Sequence, residues 1–159
     1  MITFLRPERS CDMLRSILIG LVAGQRAMTP LALVTQAARK GDLPADPPGG
    51  ALLANPIIGA SAHLLAAAEM AGDKMKTAPD RTVALGLIAR SLTSGFAGAA
   101  LAPKGERKGA ALLAVATALA SSHVGLALRL RAMQSFGQTP TGLVEDGLVL
   151  AAGRAIIAR

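Results

Sequence analysis

The chain has 159 residues, a formal net charge of +7 and a mean hydropathy of +0.45, with 52% apolar and 17% charged residues. The length suits one domain, and the charged fraction is below the quarter or so that is usual in soluble domains. The basic residues stand in short clusters between apolar runs. They do not form one stripe with stacking aromatics, so the sequence argues against nucleic-acid binding. The lone Cys11 excludes an internal disulfide.

Four apolar segments are long enough to cross a bilayer as helices, which takes about 20 residues each. In chain order they are residues 16–38, 47–68, 82–103 and 109–128. Polar, turn-rich stretches such as RKGDLPADPPGG separate them. The fifth segment, GLVEDGLVLAAGRAIIA, is shorter and carries three charged residues, Glu145, Asp146 and Arg154. It is interpreted as a half-spanning helix, an interfacial helix or a full span packed against the others. We therefore predict an all-α integral membrane bundle of four long segments and a shorter fifth.

The same pattern predicts a basic N-terminal tail over residues 1–14 and a single membrane domain over residues 15–159. Two short motifs, R-x-x-T and A-S-small-H, each occur twice, at Arg26 and Arg90 and at His63 and His123. Internal duplication is common in transporter folds. Chance repetition in an alanine-rich chain is the alternative. Small residues at four-residue spacing also favour close helix packing and homo-oligomers.

Two arginines, Arg26 and Arg90, lie near the middle of predicted spans. Arginine stays protonated, so each needs a carboxylate, a carbonyl, water or an anionic ligand. The acids that the chain offers stand in two pairs, Glu69 with Asp73 and Glu145 with Asp146. Residues four apart share a helix face, whereas adjacent ones point about 100° apart and need separate partners.

These charges have two interpretations. They are structural ion pairs that lock the bundle, or they line a polar cavity for an ion, a proton or a small solute. In the second case Pro30 is expected to break its helix and free backbone carbonyls. His63 and His123 are candidates for a proton relay, because imidazole titrates near neutral pH. The alternative is that neighbouring serines satisfy them. The predicted pathway comprises Arg26, Thr29, Glu69, Asp73, Arg90, Glu145 and Asp146.

Catalytic signatures such as G-x-S-x-G, the Walker loop and H-E-x-x-H do not occur, so no enzyme and no cofactor is predicted. Two histidines without a cluster do not predict a metal site. We expect a small transporter- or channel-like membrane protein whose partner is the lipid bilayer. Its interior is expected to contain Arg26, Arg90, Glu69 and Glu145. A non-transporting membrane scaffold and a soluble alanine-rich helical protein are the alternatives.

Four stretches carry a resemblance over about residues 15–155: GLVAGQRAMTPLAL, AAEMAGDKMKTAPDRT, LIARSLTSGFAGAALA and VEDGLVL. Together they resemble the domain-of-unknown-function 4126 family of small, mostly bacterial membrane proteins with no assigned activity. The resemblance implies a multi-pass protein of the inner (plasma) membrane. The positions that it marks are Arg26, Thr29, Pro30, Glu69, Asp73, Lys74, Arg81, Arg90, Glu145 and Asp146.

Overall fold

A computed structural model describes residues 7–73 and 83–157, and every regular element in these ranges is helical. The helices are α1 (Pro7–Gln25), α2 (Thr29–Lys40), α3 (Gly50–Leu53), α4 (Pro56–Gly72), α5 (Ala84–Leu101), α6 (Arg107–Phe136) and α7 (Gln138–Ile157). The all-α prediction is thus confirmed over the described chain. Helix α1 begins inside the stretch that was predicted as a tail. Lys74 and Arg81, which the resemblance marks, lie outside the described residues.

The predicted segments and the helices differ in three places. The first apolar segment is divided between α1 and α2, and the second between the single turn of α3 and α4. The fifth segment is not shorter, because α7 has 20 residues and α5 has 18. By length and apolar composition, two of the described helices, α5 and α6, are able to cross a membrane. Proline explains both divisions, since a ring inside a helix clashes with the preceding turn.

Helix ends follow from local chemistry. Helix α2 ends at Gly41, whose φ of 78° lies in the left-handed region, and the amides of Gly41 and Asp42 bond the carbonyls of Ala38 and Ala37. Helix α4 begins with Pro56 in its first turn, where the missing N–H costs nothing. The Asn55 side chain caps this helix by accepting from the Ile57 amide at 2.8 Å.

Helices α1, α5 and α6 form the centre of the structure, and small residues let their backbones approach. A Cβ at Gly24 would lie 2.6 Å from the Ala118 carbonyl oxygen of α6. On α5, a Cβ at Gly98 would lie 2.8 Å from the Ala110 carbonyl oxygen. Such distances are too short for any side chain, so glycine is required at these contacts. The order of the contacts shows that α6 runs parallel to α1 and antiparallel to α5.

The remaining helices pack around this centre. Helix α2 packs against α4 through Ala32, Ala62 and Ala66. Helix α7 runs antiparallel to α1 and contacts α2 where Gly153 meets the Leu33 side chain. The main buried cluster is aliphatic and draws on α1, α2, α5 and α7, with members that include Ile19, Val22, Leu33, Val34, Leu101, Val149 and Ile156. This arrangement brings the break between α1 and α2 close to the end of α4 and to the middle of α7.

We predict that Gly24→Ala lowers the free energy of unfolding by about 1–3 kcal/mol, because the new methyl group must push α1 away from α6. Gly147→Ala is the matched control, since nothing lies within 4 Å of a Cβ at that position on α7. Alanine is the better helix former there by about 0.5–1 kcal/mol. Denaturant or thermal unfolding of the purified variants measures both changes. Equal melting of G24A and G147A would contradict this packing.

Candidate functional site: a buried arginine–carboxylate network

The break between α1 and α2 spans Arg26 to Met28. Pro30 follows in the first turn of α2 and cannot donate an amide to the preceding turn. Glu69 of α4 binds the freed amides instead. Its two carboxylate oxygens accept from the Ala27 amide at 2.7 Å and the Met28 amide at 2.8 Å. A carboxylate here also complements the positive end of the α2 dipole. The predicted break at Pro30 is therefore present, and a side chain from another helix stabilises it.

Arg26 is 1% exposed, and each of its guanidinium nitrogens has a partner. Nε and Nη2 donate to Asp146 Oδ1 of α7 at 2.9 and 2.6 Å. Nη2 also lies 2.8 Å from Asp73 Oδ2 at the end of α4, and Nη1 donates to the Gln25 carbonyl at 3.3 Å. The prediction that Arg26 is buried and meets acids is confirmed. Glu69 was expected to line the same interior, but it binds the adjacent backbone and not the guanidinium.

Arg129 of α6 supplies a second buried guanidinium, which is 7% exposed. Nη1 donates to Asp73 Oδ2 and lies 3.3 Å from Glu145 Oε2, and Nη2 donates to the Asp73 carbonyl at 3.0 Å. Arg129 is not among the residues predicted from the sequence, because it directly follows the uncharged run 109–128 and belongs to one of the basic clusters between apolar runs. The spacing of seven residues places Arg129 on the same helix face as Ser122, and the structure shows that this face is buried.

Asp73 links the two arginines, since both guanidinia contact its Oδ2 atom. Each arginine also has a carboxylate of its own, which is Asp146 for Arg26 and Glu145 for Arg129. The expectation that the adjacent Glu145 and Asp146 need separate partners is confirmed. We call Arg26, Asp73, Arg129, Glu145 and Asp146 the charge network. It joins α1, α4, α6 and α7.

The second predicted arginine, Arg90, is buried on α5 at 5% exposure, but the network's ion pairs between described residues do not include it. Thr93 Oγ1 donates to the Ala89 carbonyl of its own helix at 2.9 Å. Helix α5 continues unbroken through this motif, because Ser94 follows Thr93 where Pro30 follows Thr29. Thr29 Oγ1 is buried and has no hydrogen-bond partner among the described residues.

The two histidines lie apart from the network. Both side chains are exposed, His63 on α4 and His123 on α6. His63 Nδ1 lies 2.7 Å from the carbonyl oxygen of Gly59 in its own helix. The two serines before His123 bond to α1 and not to the histidine. Ser121 Oγ donates to the Leu21 carbonyl and Ser122 Oγ donates to the Gly24 carbonyl. Among the described residues, no group of three or more histidine, cysteine or acidic side chains is placed to hold a metal.

A cavity of about 610 Å³ lies between α1, α6 and α7. Its walls are almost entirely apolar, with Leu21, Leu128 and Leu148 among the lining residues. Arg129 and Glu145 also line it, so the charge network is reached from this side. Arg26 lies behind them and does not line the cavity.

No protein-family model, curated protein or solved structure gives a significant match to this chain. The resemblance to the domain-of-unknown-function 4126 family therefore stays an expectation from the quoted motifs. The charge network and the contacts of Glu69 at the break between α1 and α2 are observed in the structure and do not depend on this resemblance.

We predict that Arg26→Gln lowers the free energy of unfolding by about 3–5 kcal/mol, because it leaves buried carboxylates without their counter-charge. Adding Asp146→Asn should restore part of this loss, since it removes one of those carboxylates. Unfolding of the single and double variants in detergent measures the coupling.

Lys104→Gln is the control for this experiment. Lys104 and Asp46 form an exposed ion pair at 3.6 Å, and exposed pairs contribute at most about 1 kcal/mol. If R26Q melts like wild type, or if the double variant is as unstable as the sum of the single variants, the pairing has no energetic role.

Proposed function

We propose that this protein is a multi-pass protein of the inner membrane, in which the charge network is the polar centre of a small transporter- or channel-like molecule. One arrangement carries the proposal: charged side chains are buried beside a broken helix, while large apolar side chains cover the outside. Soluble domains have the opposite distribution, with charges outside and large apolar groups inside.

The outer surface supports placement in a bilayer. Apolar side chains on α4 to α7 are 67–78% exposed at Ile57, Leu64, Leu85, Leu112 and Leu148. In the two helices that are long and apolar enough to span a membrane, 39% of the positions are buried in α5 and 22% in the apolar part of α6. A core helix of a soluble protein would be mostly buried. Exposed apolar surface on this scale requires a partner, and lipid is the partner that covers several helices at once.

The dimensions of the helices agree with this placement. At 1.5 Å per residue, the 18 residues of α5 span about 27 Å and the 20 residues of α7 span about 30 Å. The hydrocarbon layer of a bilayer is about 30 Å thick. On α7, Asp146 is buried and Glu145 is half-buried, whereas Arg154 is exposed in the last turn. An arginine at a helix end reaches the membrane interface, so these positions support a full span packed against the other helices.

The pairing within the network supports ion or proton handling. If Asp73 takes up a proton or turns to a passing cation, Arg26 keeps Asp146 and Arg129 keeps Glu145. Neither buried guanidinium is then left without a carboxylate, which is the state that would cost most. Asp73 is the described acid that contacts both guanidinia, so a proton or a cation at this carboxylate acts on both arginines at once. Broken helices beside such groups are a recurrent feature of transporter sites.

The alternative is a membrane scaffold in which the network only fixes the helices. Arg26 favours this alternative, because all three guanidinium nitrogens are bonded and the side chain does not line the cavity. The two functions differ in one measurable respect. Ion or proton flux needs the exchange of a partner at Asp73, whereas a scaffold needs only a stable network.

We predict that the expressed chain sediments with membranes, resists extraction by carbonate or high salt, and is released by detergent. Apolar burial in lipid, unlike peripheral ionic attachment, does not respond to salt. Fractionation followed by immunoblotting tests this. Recovery in the soluble fraction without detergent would refute the membrane placement.

We predict that proteoliposomes of the wild-type protein dissipate an imposed pH gradient faster than protein-free vesicles, as read with a pH-sensitive dye. Asp73→Asn should reduce the protein-dependent rate at least ten-fold, because the amide cannot take up and release the proton. Asp46→Asn is the matched control, since Asp46 is exposed and lies outside the network.

Three results would overturn proton handling. Wild-type flux equal to that of empty vesicles, in protein that melts cooperatively, would favour the scaffold. Unchanged flux in D73N would remove Asp73 from the pathway. Equal loss in D46N and D73N would show that the effect comes from general damage to the protein.

A further inference from the structure

The connections between the helices lie at two ends of the bundle. Helix α6 runs parallel to α1, so the turn between α5 and α6 lies at the end where α1 begins. The connection that follows α2 reaches the same turn, where Arg107 donates to the Asp46 carbonyl and Lys104 pairs with the Asp46 side chain. Helix α7 finishes there as well, since Arg15 Nε donates to the Ile156 carbonyl at 3.1 Å. Helices α1 and α2 therefore form a hairpin that starts and ends on this side, with the break at its tip.

The other connections lie at the opposite end. Glu69 binds the tip of the hairpin, so α4 ends on the far side of the bundle from the start of α1. Gln138, the first residue of α7, donates to the Asp73 carbonyl at 3.4 Å, which brings the turn between α6 and α7 to the same place. Helix α5 is antiparallel to α6 and so begins there. The order of the helices in space thus decides which charged stretches share a side.

The two ends differ in their content of lysine and arginine. The end where α1 begins, which we call the basic end, includes Arg15, Arg39, Lys40, Lys104, Arg107, Lys108 and Arg154. Its described acids are fewer, and they are Asp42, Asp46 and Glu106. The opposite end has fewer basic residues even when all those between α4 and α5 are counted there: Lys74, Lys76, Arg81 and Arg131. The buried Arg26, Arg90 and Arg129 belong to neither surface. Lysines and arginines in short loops stay on the cytoplasmic side of a membrane, so the asymmetry has a definite sign.

Four exposed cations at the basic end are available to a partner outside the protein. Arg39 and Lys40 lie in the last turn of α2, Lys108 in the first turn of α6 and Arg154 in the last turn of α7. Within the part of the chain that the structure describes, none of these side chains makes a hydrogen bond or an ion pair. They extend from three different helices at one end of the bundle. Long basic side chains at helix ends keep their charged groups at the membrane interface.

We propose that the basic end lies on the cytoplasmic side of the membrane and binds the head groups of anionic phospholipids. The cytoplasmic leaflet has a negative surface potential, which attracts basic residues close to the ends of membrane helices. The four cations are not bonded within the described chain, so lipid phosphates reach them without breaking a contact of the fold. The inference rests on the membrane placement proposed above, because a lipid surface exists only there.

The orientation also gives the charge network a side. Asp73 lies where α4 ends, beside the first residue of α7, and both belong to the end opposite the basic one. The hairpin of α1 and α2 lies between this end and the cytoplasmic leaflet. Asp73 is therefore in the half of the bundle that faces away from the cytoplasm.

The test of orientation uses the full-length protein in its membrane, with Cys11→Ser as the background because the chain has one cysteine. Lys40→Cys reports the basic end and Phe136→Cys, at the exposed last residue of α6, reports the opposite end. A membrane-impermeant maleimide added to spheroplasts should label F136C and leave K40C unlabelled until the cells are opened. Ala45→Cys and Ser135→Cys form a second exposed pair for the case in which one of the first variants fails to fold.

The test of lipid binding uses native mass spectrometry of the purified protein from micelles with equal amounts of phosphatidylglycerol and phosphatidylcholine of the same chains. Wild type should retain more phosphatidylglycerol. Lys40→Gln with Lys108→Gln should lower its ratio to phosphatidylcholine by about five-fold or more, because two cations at the anionic head groups are lost. Lys76→Gln with Arg131→Gln is the matched control, since it removes the same charge from the opposite end and should keep the wild-type ratio.

Labelling of K40C in intact spheroplasts, or failure of F136C and S135C to react there, would overturn the orientation. Equal retention of the two lipids by wild type, or equal loss in the two double variants, would overturn lipid binding at the basic end. Recovery of the protein in the soluble fraction refutes the membrane placement, whereas reversed labelling of membrane-bound protein refutes only this inference. Neither measurement depends on proton flux.

Discussion

The buried guanidinium of Arg26 is the constraint on which the rest of the structure depends. It is 1% exposed and cannot lose its proton, so its charge has to be met inside the protein. The two carboxylates that meet it come from α4 and α7, at Asp73 and Asp146. Segments far apart in the sequence are therefore held at one point by one side chain. In a bundle of mostly small aliphatic residues, such directional contacts help to fix how α4 and α7 sit against α1.

The broken helix beside Arg26 is part of the same constraint. A continuous helix would bond the amides of Ala27 and Met28 within the helix, but both are turned to Glu69 instead. Glu69 and Asp73 lie on one face of α4, so the same face binds the backbone at the break and the guanidinium. Loss of either contact would leave buried polar groups unsatisfied, which costs about 1–3 kcal/mol or more for each. The break and the ion pairs therefore stabilise each other.

Much of this arrangement could be predicted from the sequence, but the partners could not. The apolar runs located the helical regions, Pro30 located the break, and the lone charge inside an apolar run identified Arg26. Arg90 is buried as predicted, but the second arginine that contacts Asp73 is Arg129, which was not predicted. Arg129 directly follows the uncharged run 109–128, a pattern that suggests a helix end, whereas α6 continues to Phe136 and turns Arg129 inwards. Sequence spacing places residues on faces of one helix, and only packing decides which faces meet.

The packing also indicates which parts of the molecule are able to move. Glycines bring the backbones of α1, α5 and α6 into direct contact, and such interfaces deform little. Helix α4 packs mainly against α2, which is joined to α1 at the break around Arg26. The described ion pairs of Asp73 join the end of α4 to Arg26, beside α1, and to Arg129 of α6. A displacement of α4 would therefore act first on Asp73, the acid that both arginines share. Asp73, which both arginines share, thus lies where α4 meets the rigid centre of the bundle.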